Sequence, residues 1–247
     1  MSHSQPVLHA ACGDCPRRAL RKRGTYGSTV GPRQWLTLMV SDDPWERDPG
    51  HGVSAPWGAV DLYWIPLGAG AHVVRISGKL FEVVSALVQR RGRCELFHSA
   101  LVVYVPDGRF VIEQAPIPNL HGEQRGVVAE GPVGSRWAGR FRLFRYEIRR
   151  WREGLIPDVH EAVASPMRLA DDLTQARRVL DLLPSVPTPV WGRDELAAGE
   201  MWNSNSVISW VLARSGCDIA TVHPPRCGRA PGWDAGLVVA ARDLEHG

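Results

Sequence analysis

Lysine is almost missing from these 247 residues: Lys22 and Lys79 are the only two, and arginine supplies the rest of the 29 basic side chains, set against 26 acidic ones. The net charge of +3 lacks the clustered basic excess of a dedicated nucleic-acid binder, so no nucleic-acid partner is expected. Long apolar runs are missing too. Stretches such as Leu101 to Val105 fall far short of the roughly 20 residues that cross a bilayer, which excludes a helical membrane span. The basic stretch from Arg17 to Arg23 leads into no apolar segment and no small-residue cleavage site, so no signal peptide is expected. Cysteine is sparse, with five residues at positions 12, 15, 94, 217 and 227. Odd in number and scattered, they suit reduced thiols and a cytoplasmic location better than a disulfide framework. No glycine-rich phosphate loop, dinucleotide fingerprint or paired metal-ligand motif occurs. His3, His9, Cys12 and Cys15 could in principle supply four zinc ligands, but their spacing is loose and Cys-x-x-Cys alone is half a site; no metal or cofactor is expected.

What is present is ordinary globular material, 44% hydrophobic and 22% charged. Residues 1–32 carry turn formers and no apolar period, and read as a flexible basic tail ahead of a single domain over residues 33–247. A short strand is expected at 35–40 and a β-branched, aromatic strand at 60–66. Ser77 is expected to cap a helix whose apolar face carries Leu80, Val84, Leu87 and Val88. Two strands at 96–104 and 109–115, joined through Pro106, Asp107 and Gly108, make a hairpin. Further strands are expected at 126–129 and 141–150, the latter with its arginines on a solvated face. A helix is expected to open at Ser165 and Pro166, with Leu169, Leu173, Ala176, Leu180 and Leu183 on one stripe. Another, capped by Asn203 or Ser204, ends at Gly216. The run from Gly236 to Arg242 reads as a last strand. This order predicts an α+β fold with a largely antiparallel sheet packed with helices.

Three polar residues interrupt otherwise apolar or well-formed elements: His98 in one strand, Glu113 in the next, and Ser204 at a helix start. Singly, each has a structural explanation. Together they supply base, orienting group and nucleophile, the set that acyl transfer requires. Hairpin register provides a test. If Pro106 pairs with Arg109, Glu113 faces Val102, too far from His98; if the connection spans Val105 to Gly108, Glu113 faces Ala100 and lies diagonal to His98 on one face.

The segment HSALVVYVPDGRFVIEQAP from His98 to Pro116, with NSNSVISWVL from Asn203 to Leu212 far downstream, resembles the circularly permuted NlpC-type papain-like family, which includes the lecithin:retinol acyltransferase-like proteins. The resemblance spans about residues 58 to 240 and rests on these two motifs. It implies a permuted papain-like domain with His98 as base, Glu113 as its orienter and Ser204 at the nucleophile position, where the family has cysteine. A hydroxyl is not pre-ionised by a helix terminus as a thiol is, so His98 would have to remove its proton during attack. The function expected on this basis is hydrolysis or acyl transfer at an amide, ester or thioester of a small-molecule or peptide substrate. Asn203, Asn205 and Arg229 are the candidate substrate-binding residues, and Arg226 could line the same cleft. The alternative expectation is a catalytically inactive papain-like domain that binds a ligand or a protein.

Overall fold

The computed structural model describes residues 57–67, 95–117, 125–156, 158–225 and 228–245. The expected tail, the strand at 35–40, the helix opening at Ser77, and Cys12, Cys15, Cys94, Arg226 and Cys227 lie outside them.

The described residues build six strands and three longer helices: β1 (Ala59–Pro66), β2 (Phe97–Val105), β3 (Gly108–Pro116), β4 (Val127–Pro132), β5 (Arg145–Arg152), β6 (Met167–Ala170), α1 (Leu173–Leu182), α2 (Ser204–Ser215) and α3 (Trp233–Glu245). The strands form one sheet in the order β4-β5-β3-β2-β1-β6, and every neighbouring pair is antiparallel. This is the expected α+β class. The β2–β3 hairpin pairs Val105 with Gly108 and Leu101 with Ile112, the register in which the connection spans Val105 to Gly108. Gly108 takes φ 130°, a conformation open to glycine and strained for other residues.

Side chains alternate across a strand, and here both faces are covered. Val60, Leu62, Phe97, Leu101 and Ile112 pack with α2 residues Val207, Ile208 and Val211. Ile65, Ala100, Val102 and Val111 point the other way and meet Ile156. Because both faces are buried, β1 to β3 read as apolar runs rather than as strict alternation.

Three expected elements differ. The helix expected from Ser165 begins instead at Leu173, where Asp172 is the N-cap and its side chain accepts from the Gln175 amide at 2.8 Å. The Ser165-Pro166 peptide is cis, and residues 167–170 join β1 at the sheet edge. Residues 138–140 and 142–144 form two 3-10 turns, so β5 starts only at Arg145. The expected C-terminal strand is α3. Its buried residues Trp233, Ala235, Gly236, Val239 and Ala240 recur at helical spacing, which a short apolar run does not distinguish from a strand. Gly236 is where α3 meets α2: a Cβ there would stand 2.2 Å from the Ser206 carbonyl oxygen and 2.0 Å from Ser209 Oγ.

Candidate functional site

Helix α2 opens on four small polar residues, and the structure gives each its surroundings. Asn203 is the N-cap. Its Oδ1 accepts from the Asn205 amide at 2.9 Å, its own N–H donates to Ser206 Oγ at 3.1 Å, and its Nδ2 donates to the Pro231 carbonyl at 2.8 Å. That reciprocal arrangement satisfies donors a helix start otherwise leaves open. Asn205 fastens the helix to the sheet: Ser99 Oγ donates to its Oδ1 at 2.9 Å, while its Nδ2 reaches the carbonyls of Phe97 at 3.0 Å and Pro231 at 2.9 Å. Ser206 Oγ donates to the Gly232 carbonyl at 2.7 Å. Both amides proposed for substrate are thus engaged by the fold. Arg229 is placed similarly, its backbone paired with Glu95 and Phe97 and its guanidinium 3.8 Å from Glu200. Among the described residues the Ser204 hydroxyl meets no hydrogen-bond partner, although Ser204 is only 7% exposed.

His98 and Glu113 do share a face, as the register requires. It is the face turned away from α2. Ser99, the neighbour of His98, points its hydroxyl at Asn205, and Phe97 on the other side belongs to the α2-facing core; alternation therefore aims the imidazole the opposite way. No hydrogen bond joins His98 to Ser204 or to Glu113 among the described residues. Burial pushes the His98 pKa down to about 4, partly offset by the carboxylate of Asp158, so the ring is neutral at pH 7.

Glu113 has a different partner. Arg149, directly across from it on β5, donates to Glu113 Oε1 at 2.6 Å and also to Glu147, which in turn accepts from Arg125 Nε at 2.8 Å. Glu113, Glu147 and Arg149 are 7%, 1% and 6% exposed. Burial raises the Glu113 carboxyl despite the opposing pull of Arg149. Glu147 ends on the other side: burial works against its charge, but hydrogen bonds from Arg125 and Arg149 outweigh it and hold its pKa below the ordinary value. Glu113 is one member of a buried ionic chain, the arrangement a buried charge requires, and among the described residues it bonds to no imidazole.

A residue that the sequence reading passed over lies on the side of the sheet that α2 covers. Pairing between β2 and β3 lapses after Leu101 and Ile112, although β2 reaches back to Phe97 and β3 runs on to Pro116. Continuing the register past that point brings Gln114 level with Ser99, on the α2 side. Gln114 is 5% exposed, and among the described residues neither its Nε2 nor its Oε1 has a partner; Trp202 Nε1, two residues ahead of Ser204, is likewise buried without one. A visible signal existed: Glu113 and Gln114 are consecutive polar residues in an apolar strand, so one of them had to face the helices.

A cavity of about 220 Å³ lies at the opposite, turn end of the hairpin, lined among others by Val105, Asp107, Arg150 and Arg177, and none of the candidate residues reaches it. Among the described residues no group of three or more His, Cys, Asp or Glu side chains is placed to hold a metal, and no helix is long and apolar enough to cross a membrane. Compared with known proteins, this chain matches no family model, no curated protein and no solved structure.

Proposed function

We propose that this domain binds a small polar ligand without turning it over, at the place where β2 and β3 part beneath the N-terminus of α2. The observation that carries this reading is Gln114. A buried amide with neither atom satisfied costs about 1–3 kcal/mol, a cost that a fold retains where a ligand completes the pairing. A ligand bearing a carboxamide, such as a peptide, offers one donor and one acceptor to the two Gln114 atoms. Its carbonyl oxygen would favour the positive end of α2, beside the unpartnered Ser204 hydroxyl. Catalysis needs more than that. A general base must come within about 3 Å of the hydroxyl, whereas His98 points to the far face and Glu113 is held by Arg149. The permuted papain-like resemblance is kept in its inactive form, in which α2 carries serine at the nucleophile position.

The competing reading is a serine hydrolase, favoured by the placement of Ser204 in the first turn of α2, where backbone N–H groups could hold an oxyanion. Treatment with a fluorophosphonate probe separates the two. The expected result is no labelling beyond that of Ser204→Ala, together with a higher melting temperature for Gln114→Leu, because the orphaned amide is removed. Covalent labelling at Ser204 that disappears in His98→Ala would establish the hydrolase and overturn the binding reading.

A further inference from the structure

The two 3-10 turns between β4 and β5 expose what most surfaces hide. Trp137, Phe141, Leu143 and Phe144 are 65%, 55%, 74% and 44% exposed, all within eight residues. Trp137 and Phe141 contact edge to face, their centroids 5.9 Å apart, so the patch is assembled rather than scattered. Residues 136–145 carry four arginines and no carboxylate. Two of these are neutralised from outside the segment, Arg136 by Glu195 through bonds of 2.9 and 3.0 Å and Arg145 by Glu130 at 2.8 Å. Arg140 and Arg142, which alternate with the apolar side chains, are exposed and meet no acidic partner among the described residues.

We infer that this loop docks on the surface of a bilayer containing anionic lipid, with Trp137, Phe141, Leu143 and Phe144 entering the interfacial layer and Arg140 and Arg142 meeting lipid phosphates. The charge pattern selects this occupant: two unpaired guanidinium groups sit among apolar side chains that could pack between acyl chains, the composition of an interfacial anchor. A stable dimer uses roughly 20–30 residues on each side, far more than this loop offers. A single-stranded nucleic acid would stack on the rings, but the most exposed member, Leu143, has no face to stack on.

Sedimentation of the full chain with phosphatidylcholine vesicles, with and without phosphatidylglycerol, tests the inference. Binding is expected on the acidic vesicles and to weaken by about fivefold for each arginine removed in Arg140→Gln and Arg142→Gln. Phe141→Ser with Leu143→Ser should abolish it, with far-UV circular dichroism unchanged. The inference is overturned if the chain binds neither vesicle, if it binds both equally, or if acidic-vesicle binding survives loss of Phe141 and Leu143. It is also overturned if the same substitutions instead abolish self-association or oligonucleotide binding in a chain that ignores vesicles. Since Ser204 and Gln114 are untouched by these variants, failure here leaves the ligand-binding reading standing.

Discussion

At the scale of single residues, neighbours decide what a polar group does. Glu113 looked like the orienting group of a triad, yet its carboxylate closes a chain running Arg125, Glu147, Arg149, Glu113. Removing one member leaves a buried charge partly uncompensated. Glu113→Ala is therefore expected to cost about 3 kcal/mol, a drop of roughly 6–12 °C in melting temperature for a chain of this size, with Glu113→Gln costing less because it keeps an acceptor in place. An unchanged melting temperature would contradict the ionic role. His98 yields a pH dependence. Its folded pKa of about 4 lies below the ordinary 6.5, so between these values the unfolded chain binds a proton that the native one refuses. Stability is complete above pH 6.5 and falls as pH drops toward 4, by up to about 3 kcal/mol. Denaturant titrations from neutral pH to just above 4 should show wild type losing more than His98→Asn. Parallel curves would mean that the imidazole is not desolvated.

At the scale of elements, local signals were sound where the element is locally determined. The hairpin announced itself through Asp107 and Gly108 between two β-branched runs, and α2 through Asn203 at its start and Gly216, at φ 80°, at its end. Elements set by their surroundings were less legible. The 141–144 segment mixes apolar and basic residues like a strand, but among the described residues it pairs with no strand and it closes into turns. The run at 236–242 is rich in β-branched and small residues, and it becomes helical because α2 offers a seat for a helix. That seat demands a small residue. In Gly236→Ala the new methyl would press on the backbone oxygen of Ser206, which cannot swing aside, so the helices must separate. A loss of about 1–3 kcal/mol is expected, and Ser209→Ala in the same chain should not restore it, since the Ser206 carbonyl remains. Full recovery in the double variant would place the conflict at the Ser209 hydroxyl instead.

For the molecule as a whole, what the amino-acid order determined by itself is the inventory of strongly periodic pieces, the antiparallel α+β class, and the shared face of His98 and Glu113, which either hairpin register gives. Each of these rests on turn chemistry, capping and apolar period, which act between residues close in sequence. Which side of the sheet receives α2 was decided only by tertiary packing. The strands at the centre of the sheet are apolar on both faces, so their sequences carry no mark of inside and outside, and either face could have taken the helix. Ser99 settles it by bonding to Asn205, 106 residues away. That choice turns His98 from Ser204 and sets Gln114 on the side that α2 covers. Contacts between residues so distant along the chain depend on the closure of the whole fold, and no local pattern encodes them.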